Sequence, residues 1–359
     1  MPSSPLRIAI IGPGKVAHLH AKAVLQTPDT QLVAVYGRTY RKAEDFAKHY
    51  GVQAYSDVQE MVTQQAVDLC LVCTTHPAHR EPTIAALNAG SHVLVEKPLA
   101  SSLEDCDAMI EAAQRNNRFL SVISQRRFYA PSMRIRHAID AGKIGKPILG
   151  TVQMLGWRDE AYYKSDAWRG TWSDEGGGVL VNQSPHQLDL LLWYMGDIDE
   201  VYGVWRNLNH PYIEVDDTAL AIIKFKNGGL GNIIVSNSQK PGIFGKVHVH
   251  GQNGASVGVQ TDGGALFIAG MSSITDPPVN DLWTVPGEEN QLAQFVAEDT
   301  AFFNTIDATV YYFGLQIADC RDAIRDNRPP LVTGEDGRKV VALFQAIYES
   351  TKTGQAVKF

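Results

Sequence analysis

The apolar run Leu6–Ile11 breaks into Gly12-Pro13-Gly14-Lys15-Val16-Ala17, and a helical pattern starts at Lys15. A strand, a glycine turn and a helix in that order open a βαβ unit, which points to a doubly wound parallel sheet. In this G-x-G-x-x-A spacing Gly12 permits the tight turn, Gly14 lets the backbone approach a pyrophosphate, and Ala17 lets helix and sheet pack closely. The helix N-terminus then faces the anion. Gly12, Pro13, Gly14, Lys15 and Val16 are therefore the expected dinucleotide cradle.

The alternation continues through the first third of the chain. Strands are expected at Leu6–Ile11, Gln31–Tyr36, Gln53–Tyr55, Val67–Thr74, His92–Glu96 and Phe119–Ser124, with helices at Lys15–Gln26, Arg41–Tyr50, Asp57–Gln64, Pro77–Ala89 and Leu103–Asn117. In such a sheet, ligands sit beyond the carboxyl ends of the strands. Thr74, Thr75, His76 and His79 after the fourth strand, and Glu96 and Lys97 after the fifth, should thus line a cofactor cleft. The second strand of an NAD-binding unit usually ends in an acidic residue that accepts from the ribose. Here it ends Tyr36-Gly37-Arg38-Thr39, with Arg41 and Lys42 close behind. A guanidinium and a hydroxyl suit a 2′-phosphate, so Arg38 and Thr39 favour NADP over NAD.

Beyond Ser124 the pattern changes. Long, partly alternating strands are expected at Pro147–Trp157, Glu200–Leu208, Thr218–Phe225, Gly229–Ser236 and Lys246–His250, joined by turns such as Asn227-Gly228-Gly229. A chain of 359 residues suits two domains. The expected division is a Rossmann domain over 1–124 and a substrate-binding and oligomerisation α/β domain over 125–359. With 44% hydrophobic and 20% charged residues the chain belongs to the globular class, and no apolar run approaches the roughly 20 residues that span a bilayer. The net charge of -7 is mixed along the chain and leaves no basic stripe for nucleic acid. Met1-Pro2-Ser3-Ser4-Pro5 lacks a secretory pattern, which makes the cytoplasm the expected location. Cys70 and Cys73 have a C-x-x-C spacing but fall in an expected strand, where positions three apart face opposite ways, so both read as buried apolar residues. His248 and His250 share a strand face without an evident third ligand, and no metal site is expected.

Two stretches of the second half carry candidate chemistry. Gly176–Asp189 reads GGGVLVNQSPHQLD and sets Asn182 and His186 four apart at the start of an otherwise apolar helix, where residues at that spacing share a face. Leu188, Leu191 and Leu192 would bury the rest of it. The residues alone leave two readings open, a substrate-facing amide and imidazole or a capped helix with a core histidine. Tyr162–Trp172 is rich in aromatics for a loop, and Tyr163 and Trp168 offer faces to sugar C–H groups while Arg169 offers donors to cofactor or hydroxyl oxygens.

Glu96-Lys97-Pro98 at its place after the glycine turn, together with Gln125-Arg126-Arg127-Phe128, Gly142-Lys143-Ile144-Gly145, the GGGVLVNQSPHQLD stretch and Thr333-Gly334-Glu335-Asp336-Gly337, resembles the Gfo/Idh/MocA oxidoreductases. The resemblance spans nearly the whole chain. It implies a second domain with a large open, mostly antiparallel sheet, which commonly joins copies into a homodimer or homotetramer. It further implies hydride transfer between NADP or NAD and a secondary alcohol or ketone of a sugar, glycoside, sugar derivative or cyclitol. Lys97 would supply a positive charge and His186 the acid/base, with Trp168 and Arg169 near the nicotinamide. Many relatives carry Asp where this chain has Asn182, an amide that can position but cannot hold charge. Arg127, Tyr129 and Gln153 are further pocket candidates, and Asp189 is as well suited to a structural pairing. Two other readings remain: a glycosidase that uses bound NAD for transient oxidation and elimination, and a dinucleotide sensor without turnover. Pro277–Asp307 fits the family least and reads as a lid, an oligomer arm or a substrate-specific insert.

Overall fold

A computed structural model describes residues 4–261, 266–268, 271–273 and 275–359. The chain begins as expected with β1 (Leu6–Ile11), α1 (Lys15–Gln26), β2 (Thr30–Tyr36), α2 (Tyr40–Tyr50), β3 (Gln53–Tyr55), α3 (Val58–Gln64), β4 (Leu69–Val72), α4 (Arg80–Asn88), β5 (His92–Val95), α5 (Leu103–Arg115) and β6 (Leu120–Val122). The six strands form one parallel sheet in the order β3-β2-β1-β4-β5-β6. Side chains on both faces of β1 and β4 are buried, as a sheet covered on both sides by helices requires. Caps set the helix starts: Asp57 accepts from the Glu60 N–H and Ser102 from that of Asp105. Cys70, Cys73, Cys106 and Cys320 are all buried free thiols, and burial pushes Cys70 up to about 12.

The second body contains α6 (Ala130–Asp140), β7 (Pro147–Trp157), α7 (Glu160–Lys164), α8 (Pro185–Met195), β8 (Ile198–Arg206), β9 (Thr218–Phe225), β10 (Leu230–Ser236), β11 (Ser238–Gly251), β12 (Ser256–Thr261), the small pair β13 (Leu266–Ile268) and β14 (Met271–Ser273), β15 (Val279–Trp283) and α9 (Leu292–Phe303). Its eight-stranded sheet runs β15-β12-β11-β7-β10-β9-β8-β16, with the last strand, β16, at Val357–Lys358. Among the described residues only β7 and β10 pair in parallel, so the sheet is mixed and mostly antiparallel. On β7, Gly150 lies against Leu191 and Met195 of α8 while Val152 and Met154 are buried. The alternate positions of β7, and their partners on β9 and β10, form the other face.

Pro277–Asp307 belongs to the second body. Val279–Trp283 is the β15 edge strand, and α9 is tied to α6 by an ion pair between Arg134 and Asp299 and by the Arg134 guanidinium lying 4.1 Å from the Phe295 ring centre.

The final helices are α10 (Ala308–Asp326) and α11 (Gly334–Thr353). The chain divides into one compact unit of residues 1–125 and 309–341 and another of 126–308 and 342–359. A single division at 124/125 does not anticipate that return. Val310, Ile317 and Cys320 of α10 join Ala21, Val24, Phe46 and Leu71 in one core. Gln316 closes the sheet edge: its side-chain amide donates to the Val122 carbonyl (2.8 Å) and its oxygen accepts from the Ser124 N–H (3.0 Å). A side chain thus takes the hydrogen bonds that a further strand would make with β6.

Candidate active site

In the first unit, Gly12 has φ +97°, and a Cβ there would meet Thr74 Cγ2 at 2.9 Å and Thr74 N at 3.0 Å. Only glycine fits this crossing of β1 and the end of β4. A Cβ on Gly14 would find nothing closer than the Cys73 carbonyl at 4.0 Å. Among the described residues no side chain caps α1, and its first turn carries no acidic group. The positive end of the helix dipole is thereby left for an anion, and the cradle fits the pyrophosphate of a dinucleotide. Lys15 is exposed, and Pro13 and Val16 are half-buried. Arg38 and Thr39 are exposed at the end of β2, where Thr39 precedes α2 without capping it.

Beyond β4, the Thr74 hydroxyl donates to the Ala78 carbonyl (3.0 Å), which holds the short turn at His76–Ala78. Thr75 is exposed and His76 buried. His79 is 0% exposed, its Nδ1 3.1 Å from the Pro98 and Leu99 carbonyls and its Nε2 3.1 Å from the Thr74 carbonyl. The expected direct cofactor contact of His79 is corrected here: a ring enclosed by backbone can act only through the segments it joins. Beyond β5, the buried Glu96 carboxylate accepts from His20 Nε2 at 2.7 Å and from the Lys97 N–H at 3.1 Å. Burial favours its neutral form, but the His20 hydrogen bond and the charges of His20 and Lys97 outweigh it and hold the carboxyl below its usual range. Glu96 therefore fixes the backbone from which the half-buried Lys97 projects.

In the second unit, the GGGVLVNQSPHQLD stretch is not one helix. Val179–Gln183 forms a π-helical turn, closed by the Ser184 N–H donating to the Val179 carbonyl (3.0 Å), and α8 starts only at Pro185. Asn182 belongs to the π turn and His186 to α8, so the simple i, i+4 geometry does not apply. Asp216 causes this course. Its carboxylate accepts from the Gly178 N–H (2.7 Å), the Leu180 N–H (2.9 Å) and the Tyr348 hydroxyl (2.7 Å), while its carbonyl accepts from the Val179 N–H (2.9 Å). Three consecutive amides are spent on one residue, which leaves the chain to re-enter helix with wider spacing.

Around Asn182 a polar network assembles. Its side-chain NH2 donates to Glu175 Oε1 (2.5 Å) and to the Tyr162 hydroxyl (3.1 Å). That hydroxyl also accepts from Arg169 (2.6 Å) and Gln183 (2.8 Å), and the Arg169 guanidinium lies 4.3 Å from the ring centres of both Tyr162 and Trp168. Tyr163 is buried beside Tyr162, its hydroxyl accepting from Asn237 at 3.4 Å. His186 is 7% exposed.

Three pocket candidates need correction. Tyr129 is 0% exposed, which denies it to any ligand. Arg127 forms a buried bidentate ion pair with Asp189 (2.8 and 2.6 Å) and lies 5.1 Å from the Trp193 ring centre, so it anchors α8. Gln153 alternates with Val152 and Met154 and pairs with Ile234 and Lys246, which puts it on the face opposite α8. Sequence reading missed Glu175, Tyr162, Gln183 and His20. The acidic residue directly before the triple glycine was the one available signal; nothing in the sequence links His20 to Glu96.

Residues 6–124 match the family described as "Oxidoreductase family, NAD-binding Rossmann fold", and 132–257 match the "GFO/IDH/MocA C-terminal domain". Myo-inositol 2-dehydrogenase of Thermotoga maritima is 30% identical over 257 residues, covering 69% of this chain and 74% of that protein. D-glucoside 3-dehydrogenase of Escherichia coli is 25% identical over 100% of this chain and 99% of its own. The WlbA dehydrogenase of Bordetella pertussis, solved with NADH and UDP-GlcNAcA, superposes with a TM-score of 0.86 at 25% identity over 100% of this chain and 99% of that one.

Proposed function

The chain belongs to the Gfo/Idh/MocA family of NAD-binding oxidoreductases, and from that membership we propose that it transfers a hydride between a nicotinamide dinucleotide and a secondary alcohol or ketone on a polyhydroxylated ring. The ring is a sugar, a glycoside, a sugar derivative or a cyclitol. The observation that carries this reading is the network of Asn182, Tyr162 and Arg169 beside the Trp168 face, just ahead of His186. The amide oxygen of Asn182 can accept from a substrate hydroxyl and a guanidinium can donate to one, while aromatic faces accept ring C–H groups. Relatives that act on inositol and on glucosides support the same class.

The dinucleotide accepts or supplies the hydride. In the proposed division of labour, Gly12, Gly14 and the start of α1 bind its pyrophosphate, and Glu96 holds the backbone of Lys97. The Lys97 ammonium steadies negative charge developing on the reacting oxygen, and the His186 imidazole takes or returns the hydroxyl proton. Asn182 and Arg169 orient the ring. Arg38 and Thr39 favour NADP. Four buried thiols accord with a reducing compartment, for which the cytoplasm is the proposed location; among the described residues no helix is long and apolar enough to cross a membrane.

A panel of free sugars, methyl glycosides, nucleotide-linked sugars and inositols, assayed with NADP and NAD in parallel at about 340 nm, tests the reading. Cofactor reduction is expected with at least one ring polyol, faster with NADP, and Arg38→Ala should cut the NADP advantage by roughly tenfold, as loss of one charge-assisted contact would. Hydrolysis of a glycoside without net cofactor reduction would instead identify the NAD-assisted glycosidase, and dinucleotide binding with no turnover the sensor.

The open face of the eight-stranded sheet is the proposed self-association surface. Tyr202, Val204, Leu220, Ile222, Leu230 and Ile234 are all exposed there, and cross-strand pairing places Ile222 opposite Tyr202 and Leu220 opposite Val204 and Ile234. A contiguous apolar sheet face of this kind ordinarily meets a partner. Ile222→Lys should convert a dimer or tetramer to smaller species in light scattering after size exclusion; a wild-type protein that elutes as a monomer sinks the idea.

A further inference from the structure

Glu175 stands immediately before the triple glycine, and its side chain is among the most buried of the acidic residues at 1% exposure. Both of its oxygens act as acceptors. Oε1 receives the Asn182 NH2 at 2.5 Å and Oε2 the Gly170 N–H at 2.5 Å. Because a carboxylate oxygen can only accept, it dictates the orientation of the Asn182 amide. The NH2 turns toward Glu175 and Tyr162, and Oδ1 turns away from them. A second amide of the same turn, Gln183, meets the same tyrosine hydroxyl.

We infer that the Glu175 carboxyl is the positioning group of the substrate site. As a carboxylate it locks the Asn182 amide, and on taking a proton from solvent it loosens that lock. This rests on the reading of Asn182 and His186 as substrate-facing.

Chemistry around the carboxyl makes the switch accessible. Burial is the largest influence and pushes Glu175 up, while the Gly170 and Asn182 hydrogen bonds and the Arg169 charge pull it down, leaving it raised to about 7. The other groups that bear on it are Asp216, whose charge opposes ionisation, and the phenols of Tyr162, Tyr163 and Tyr348, each raised by burial and uncharged at neutral pH.

Carbon-13 NMR of protein labelled at the glutamate carboxyl carbon reads the proton directly, with Glu175→Gln identifying the resonance. A midpoint near neutrality is expected. Asn182→Asp, which sets two carboxyls against each other, should raise it by about one unit or more, a tenfold gain in proton affinity. On the polyol that turns over fastest in the panel, Glu175→Gln should lower kcat by on the order of tenfold, leave KM nearly unchanged and flatten the pH dependence of kcat between about pH 6 and 8. A Glu175 signal that does not titrate between about pH 5 and 9, or wild-type kcat and pH profile in Glu175→Gln, would overturn the inference. If no polyol is turned over, the proposed reaction fails by itself; the titration and its shift in Asn182→Asp need no substrate and still decide the role of Glu175.

Discussion

Lys97→Ala and His186→Ala are each expected to lower kcat by about 10²–10⁴-fold, the range for loss of a positioned acid/base or charge-stabilising group, and to leave dinucleotide affinity nearly unchanged. The two side chains are held in place differently. Lys97 extends from backbone held by Glu96, so removing its ammonium leaves the glycine cradle intact. His186 sits in the first turn of α8, whose course is independently set by the Arg127–Asp189 pair one turn on. Truncating the imidazole should therefore remove chemistry without releasing the helix. If both groups serve one proton and charge movement, the double variant will be hardly slower than the worse single one, as is usual for residues that act as a unit. Stopped-flow turnover together with fluorescence titration of the reduced cofactor measures both quantities. Wild-type kcat in the two single variants would remove these residues from the chemistry.

The second large effect is on stability. A Cβ on Gly178 would lie 1.8 Å from the Asp216 carbonyl oxygen and 2.8 Å from its carbon, atoms of backbone that cannot rotate aside. Gly178→Ala must push the turn off Asp216. That carboxylate is fully buried and accepts three hydrogen bonds, two of them from this turn. Overpacking costs roughly 1–3 kcal/mol and each lost buried hydrogen bond about 1 kcal/mol more. At about 2–4 °C per kcal/mol the melting temperature of the second unit should fall by on the order of 10 °C. Calorimetry against Gly156→Ala is the comparison. Among the described residues the nearest contact to a Cβ at Gly156 is the Ser236 carbonyl at an ordinary 3.9 Å, so that variant should melt close to wild type. Equal melting of Gly178→Ala and wild type would show that the turn is not pinned as described.

Much of the first unit was legible because its signals are local. The β1 and α1 limits follow from an apolar run, two glycines and a helix pattern, and the expected spans match the observed ones. β11 was read as Lys246–His250 yet runs from Ser238 to Gly251, since Pro241, Gly242 and Gly245 look like breakers but are absorbed by register shifts against β7. The β7 alternation was readable, but not which face would receive α8, so nothing in the strand itself told that Gln153 lies opposite that helix. Helical spacing also failed at Asn182. The π turn arises from hydrogen bonds to Asp216, more than thirty residues later, and no window around GGGVLVNQSPHQLD contains that partner. The contact between Glu175 and Asn182 escaped for the same reason: a triple glycine folds the chain back and brings together residues that no regular element would.

The return of α10 to the first sheet bears on how the protein is made. During synthesis, residues 1–125 emerge long before 309–341, with all of 126–308 between them. Until then β6 lacks the amide of Gln316 at its edge, and Val310, Ile317 and Cys320 are missing from the core they share with α1 and α2. A nascent chain thus carries a finished strand order with an unsealed border, the state most open to pairing with a neighbour on the same polysome. Neither unit is complete until the end of the chain is made: the first waits for residues 309–341 and the second for 342–359, which bring β16 to the edge of its sheet.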